Sequence, residues 1–344
     1  MRLYSLCLFA LLGAAWSPYA ASASEVSGVR GVAVPVAQAP TERDVVQWME
    51  RMHRAPCVRP YAGTFVVLSA SGAMASSRIW QACDGSRLLE QVEALSGTPR
   101  TIFRRDDEVR TFWPQKRVVR TERREISGLF PRVPSFTGTS ISQFYGAQFL
   151  GQERVAGMVA DVVWFKPVDS LRFGYRLWSE QETGLLVKLQ TLGSDGRVLE
   201  QAAFSELDLR SAVRADQISR RMDAIAGYQV IAPPVVKTTA MAAGWVLRQP
   251  VAGFVPVSCH RRSVSGGEDA QGILQCLYSD GLASVSLFVE AFDPQRHPAQ
   301  PQRSSMGATQ LFAQRVLTDV WLTVVGEVPM QTLQQFAEQL ERAR

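Results

Sequence analysis

From Tyr61 onward the chain is cut by turn-forming residues so often that no long helix fits between the cuts. Residues 65–68, 78–83, 90–95, 101–105, 109–114 and 117–122 are short β-like runs separated by turn residues. Residues 147–154, 158–167, 172–178, 184–192 and 198–209 continue the series, linked by Ala156-Gly157, Thr183-Gly184 and Asp195-Gly196. Within one run Phe173, Tyr175 and Leu177 alternate with Arg172, Gly174 and Arg176. A period of two puts one set on a buried face and the other in water. Consecutive short strands joined by tight turns favour an antiparallel meander over a parallel α/β sheet. The expected fold class is therefore mainly β.

Two stretches depart from that period. Val45, Trp48, Met49 and Met52 fall at i, i+3, i+4 and i+7, the spacing of one helix face, with Thr41 as the expected N-cap and Asp44 three positions on. Near the other end, Pro329 opens a second such stripe of Leu333, Phe336, Ala337 and Leu340. Between residues 215 and 243 the strand pattern lapses around Pro233-Pro234, which reads as a linker. A second unit of short strands follows from Gly244. With 344 residues there is room for two such domains, here 41–214 and 244–342.

The N-terminus carries a different message. Arg2, an apolar run from Leu3 to Trp16 and the small residues Ala21-Ser22-Ala23 have the layout of a secretory signal peptide spanning 1–23. Residues 24–40 read as a flexible lead-in. An exported chain meets an oxidising compartment, so Cys57, Cys83, Cys259 and Cys276 are expected as disulfides. Four cysteines allow three connectivities. Cys57 and Cys83 flank one apparent hairpin, with its turn near Ser71-Gly72. Cys259 and Cys276 flank another, about Gly266-Gly267. That placement favours Cys57–Cys83 and Cys259–Cys276.

Catalytic signatures are missing from the sequence. His53, His260 and His297 are the only histidines, and no nucleophile elbow, zinc-protease helix or phosphate loop accompanies them. Cofactor, metal and catalytic residues are accordingly assigned as none, and the chain is read as a binding protein, not an enzyme. Residues 100–125 hold nine basic and five acidic side chains, a mixture that reads first as paired charges on exposed strands. Nucleic acid is not an expected partner for an exported protein.

Eight segments, in order along the chain, resemble the RseB/MucB family, periplasmic regulators of the sigma-E (AlgU-type) envelope-stress response. They are Tyr61-Ala62-Gly63-Thr64-Phe65, Arg104-Arg105-Asp106-Asp107-Glu108-Val109-Arg110, Gly151-Gln152-Glu153-Arg154-Val155-Ala156-Gly157, Phe173-Gly174-Tyr175-Arg176-Leu177-Trp178, Thr183-Gly184-Leu185-Leu186-Val187-Lys188 and Val198-Leu199-Glu200-Gln201. In the second unit they are Ser279-Asp280-Gly281-Leu282-Ala283-Ser284-Val285-Ser286 and Val324-Val325-Gly326-Glu327-Val328-Pro329. The resemblance implies an N-terminal LolA/LolB-like unclosed antiparallel β-barrel plugged by helices, and a smaller C-terminal antiparallel sheet with a terminal helix. It implies a periplasmic protein that binds the periplasmic part of a membrane-spanning anti-sigma factor (RseA/MucA-like) and shields it from proteolysis. Release would come from lipid-like signals, with lipid or lipopolysaccharide as a second ligand class. A stand-alone lipid or lipoprotein carrier is the alternative. By this analogy Phe65, Phe112, Trp113, Phe130, Phe136 and Phe144 are the candidate cavity lining, in a wider aromatic set with Phe149, Trp164 and Phe165. Tyr278, Ser284, Ser286 and Phe288 are the candidate partner-binding residues, because small serines there would admit a second chain between two aromatic flanks. The cysteines lie outside the family pattern.

Overall fold

The structure is a computed structural model describing residues 43–85, 87–123, 141–262 and 272–343. The expected signal peptide and lead-in, Thr41, Phe130 and Phe136 lie outside the described residues.

Helix α1 (Val45–Val58) starts the first domain. Its N-cap is Asp44, three residues later than expected. The Asp44 carboxylate accepts from the Gln47 N–H at 2.8 Å, and Gln47 Oε1 accepts from the Asp44 N–H at 3.1 Å. This reciprocal capping box fixes the start, because Gln47 stands at the third helical position from Asp44. The helix buries Val45, Trp48, Met49, Met52 and Ala55. Each large side chain so buried contributes about 1.5–3 kcal/mol.

Eleven strands follow: β1 (Tyr61–Ser69), β2 (Met74–Asp84), β3 (Arg87–Ala94), β4 (Thr101–Arg105), β5 (Glu108–Trp113), β6 (Val118–Arg123), β7 (Tyr145–Val155), β8 (Met158–Pro167), β9 (Gly174–Glu180), β10 (Leu186–Leu192) and β11 (Val198–Asp208). Helix α2 (Ala215–Asp223) and strand β12 (Gln229–Ile231) complete the domain. The sheet order is β12-β6-β5-β4-β3-β2-β1-β11-β10-β9-β8-β7. It is a meander folded back at β1–β11, and it is unclosed: β7 and β12 are its two edges. Among the described residues only the β12–β6 ladder is parallel.

Side-chain parity assigns the helices to opposite faces. Ile79 and Val92 belong to the cluster under α1, with Phe65, Phe204 and Trp178. Ala82 and Leu89, three positions away on the same two strands, join Phe103, Phe112 and Val119 under Ile218 and Met222 of α2. An odd spacing on a strand means the other face.

The second domain holds β13 (Val235–Thr238), β14 (Trp245–Leu247), β15 (Val255–Arg262), β16 (Ile273–Ser279), β17 (Ser284–Ala291), β18 (Gln302–Met306), β19 (Thr309–Leu317), β20 (Val320–Gly326), helix α3 (Met330–Gln339) and β21 (Leu340–Arg342). Seven of these strands form a sheet in the order β13-β15-β16-β17-β20-β19-β18, and β14 pairs with β21. Leu333, Phe336 and Ala337 of α3 close the core over Val285, Leu287, Leu322 and Val324.

The 215–243 linker is thus much shorter than expected. Residues 215–223 form α2, whose Ile218 and Met222 lie four apart in an otherwise polar segment and go under the first sheet. Gln229–Ile231 and Val235–Thr238 are strands on the edge of each sheet, and Pro233-Pro234 occupies the crossing between them. Two arginines of the charged run of residues 100–125 pair with this helix, and others pair within the run, as Arg120 does with Glu122. Arg105 and Arg110 both reach Asp223, at 3.1 and 3.0 Å, and both also reach Glu108.

Both disulfides follow the favoured pairing. Cys259 faces Cys276 directly across β15 and β16. Cys57 bonds Cys83, but Cys57 stands in the last turn of α1 and not on a strand, so this bridge ties helix to sheet.

Candidate functional site: the seam between the domains

Two sequence motifs meet where the domains join. The turn between β16 and β17 inserts Asp280 toward the first domain, with Gly281 at φ +100° completing the reversal. Such a φ favours glycine. Asp280 Oδ1 accepts from the N–H groups of Leu282 at 2.9 Å and Ala283 at 2.7 Å. Its Oδ2 accepts from the Tyr145 hydroxyl at 3.1 Å and lies 3.2 Å from the Arg172 Nε. Both side chains of this ion pair are fully buried. Leu282, beside it, packs against the core of the first domain.

Arg172 is held by one hydrogen bond, by ion-pair contacts and by two flanking rings. One terminal nitrogen donates to the Ala252 carbonyl at 2.7 Å, and the other is 3.4 Å from Asp169. The rings of Phe144 and Phe254 flank the guanidinium, centred 4.4 and 5.3 Å from its carbon. Cation–π contact of this kind is strongest away from water. Burial pushes the Asp280 carboxyl above its ordinary range, against the opposing pull of the Leu282 N–H and Arg172. The Tyr145 and Tyr175 phenols are pushed well up, first by burial, then for Tyr145 by the Tyr175 phenol and Asp280 and for Tyr175 by Glu327 and Asp280.

Three further contacts widen the seam. Thr332 Oγ1 of α3 donates to the Leu171 carbonyl at 2.7 Å. Arg262 on β15 pairs with Glu122 on β6 at 3.3 Å. The Ala308 N–H, in the turn between β18 and β19, donates to the carboxylate of Glu200 on β11.

The candidate cavity residues are not gathered in one place. Phe65 packs edge-on to Phe204 under α1. Phe112 packs against Phe103 and Tyr228 on the opposite face. Trp113 is half-buried at the end of β5, and Phe144 belongs to the seam. Within the wider set, Phe165 is fully buried in the core and Phe149 is exposed on edge strand β7.

The partner-binding candidates divide as well. Ser284, Ser286 and Phe288 are half-buried on the face of the second sheet away from α3. Tyr278 stands opposite Val285 and packs on Phe336, ring centroids 5.2 Å apart. It therefore belongs to the core face and cannot flank the serines. The neighbours of Ser286 are Leu277 and Val325, so the serine sits in an apolar row. The Arg172–Asp280 pair was not foreseen from the sequence. Its only trace there is that Asp280 lies inside one family-like segment and Arg172 directly precedes another.

Among the described residues no three histidine, cysteine, aspartate or glutamate side chains are grouped to hold a metal ion. None of the described helices is long and apolar enough to cross a membrane. What the geometry defines is a two-domain β scaffold, an open sheet fused through a buried ion pair to a smaller helix-backed sheet. The model of the MucB/RseB N-terminal domain matches residues 44–222, and that of the MucB/RseB C-terminal domain matches residues 239–341. The chain belongs to the MucB/RseB family. It is 29% identical over 316 residues to the sigma factor AlgU regulatory protein MucB of Pseudomonas aeruginosa, covering 89% of this chain and 92% of that protein. It is 24% identical over 296 residues to the sigma-E factor regulatory protein RseB of Escherichia coli, covering 85% and 89%. A structure of the Pseudomonas aeruginosa MucA/MucB complex superposes with a TM-score of 0.68 at 26% identity, covering 86% of this chain and 98% of that one.

Proposed function

We propose that this chain is a periplasmic regulator of an envelope-stress sigma factor, acting by binding the periplasmic part of a membrane-spanning anti-sigma factor and shielding it from proteolysis. The observation that carries the reading is its likeness over 316 residues to MucB, a regulatory protein whose structure was solved in complex with MucA(peri). Both domain models match in the family order within one chain. A stand-alone carrier would have no use for the second sheet, nor for a buried ion pair that fixes it to the first.

The half-buried face of β17, with Ser284, Ser286 and Phe288, is the proposed partner surface. Its apolar neighbours Leu277 and Val325 supply contact area, and the small serines admit close approach. The test is a titration of the purified chain with the periplasmic domain of its cognate anti-sigma factor. Ser286→Arg should weaken binding by about 1 kcal/mol or more, the scale of an interface residue that matters. A thermal melt of the same variant separates lost binding from lost folding. Full affinity with an intact melt would move the surface elsewhere. No complex with the unmodified chain would remove the regulatory reading itself.

A further inference from the structure

The two disulfides sit in opposite environments. Cys259 and Cys276 are 7% and 4% exposed, held in the core under α3. Cys57 is exposed and Cys83 half-buried. A reductant can reach the second bridge without disturbing the fold and can reach the first only by opening the domain. The accessible bridge also holds something that little else holds. All the buried residues of α1 lie at or before Ala55. Pro56 has no N–H to return to the Met52 carbonyl, so the last turn lacks a helical hydrogen bond. Val58 beyond it is 64% exposed. Arg51 grips the carbonyls of Glu180 and Gln181, but one turn earlier.

We propose that Cys57–Cys83 is a thiol–disulfide exchange site for a dithiol oxidoreductase, whose reduction frees the last turn of α1 while Cys259–Cys276 stays closed. A thiolate of the dithiol attacks one sulfur of the bridge, forming a mixed disulfide and releasing the other cysteine as a thiolate. The second thiol of the reductant then displaces the remaining cysteine. Two electrons and two protons pass to the chain, and the reductant leaves as its own disulfide. The freed turn lies at the end of the helix that covers the main core of the first domain, so its state sets how firmly that edge is covered. None of this depends on which partner the chain regulates.

The test uses the full chain in native buffer, exposed separately to dithiothreitol and to a reduced thioredoxin-type protein, then alkylated and mapped by mass. Both reductants should label Cys57 and Cys83 and leave Cys259 and Cys276 protected. Amide exchange at Cys57, Val58 and Arg59 should then rise about tenfold, as expected when a local tether is lost without global opening. The double variant Cys57→Ser with Cys83→Ser should show the same exchange pattern without any reductant. Simultaneous labelling of all four cysteines would overturn the proposal, as would resistance to the protein reductant. Unchanged exchange in the reduced chain would overturn it equally.

Discussion

The Nε of Arg172 lies 3.2 Å from the Oδ2 of Asp280, and the two side chains, from different domains, are both shut off from water. Removing one member of such a pair leaves an uncompensated buried charge, at a cost of about 3–5 kcal/mol. Arg172→Met should therefore be strongly destabilising in chemical denaturation. Asp280→Asn keeps Oδ1 as the acceptor for the Leu282 and Ala283 N–H groups and turns its amide N–H toward the Tyr145 oxygen, so the double variant should recover part of the loss. A coupling of at least about 1 kcal/mol is expected in the cycle. Strict additivity would show that the pair does not act as a unit.

The acid response should have two components of opposite sign. Burial alone would raise the Glu180 carboxyl, but hydrogen bonds from the Thr183 hydroxyl and the N–H groups of Glu182 and Thr183 hold it below its usual value. Its contribution is present above the unfolded value and is lost as pH falls through the folded one. Glu180→Gln should flatten that acid limb of the stability curve. Asp280, raised by burial, runs the other way: its contribution is full at low pH and falls as pH rises through the folded value. Asp280→Asn should remove this opposite slope, and denaturation midpoints measured across pH 3–7 in both variants would reveal a wrong sign.

Two glycines are held by close backbone approach. A Cβ on Gly63 would come within 2.7 Å of the Glu206 carbonyl and 2.8 Å of the Phe204 ring. One on Gly326 would come within 2.6 Å of the Ser284 carbonyl. Alanine at either site should cost about 1–3 kcal/mol, the usual range for overpacking. Gly146, with nothing within 4 Å, is the matched control and should shift stability by about 0.5 kcal/mol or less on the same change.

Thr332 Oγ1 bridges α3 to the Leu171 carbonyl of the first domain. Thr332→Val keeps the shape and removes the donor, leaving a part-buried carbonyl without it. A loss of about 1–3 kcal/mol is expected. Amide exchange should report the loosening in α3 and around residues 169–172 together, and a change confined to α3 would argue against coupling through this bond.

Much of this architecture is written locally. The helical spacing of Val45, Trp48 and Met52 and the cysteine placement are short-range signals that packing then obeys, whereas the alternation around Phe173, Tyr175 and Leu177 does not put the other set in water, because Arg172, Gly174 and Trp178 are buried as well. The seam is not local. Nothing near Arg172 announces Asp280, because an ion pair depends on how distant turns are brought together and leaves no periodic trace. The same limit explains Tyr278: alternation separates the two faces of a strand but does not say which face α3 will cover. The misplaced linker has a different cause. Strands β12 and β13 have only three and four residues, and α2 buries only two side chains, so each falls below the length at which periodicity can be seen.

The crossing from β12 to β13 has a mechanical consequence. Each of these strands is the outermost member of a different sheet, and only residues 232–234 separate them. A chain spans at most about 3.5 Å per residue, and the two prolines narrow its choices further. The strap runs beside the buried seam, and any attempt to draw the domains apart loads the edge ladders as well as the seam. A pulling force would have to peel β12 from β6 or β13 from β15 before the connection could lengthen, so the strap sets the order in which the molecule comes undone.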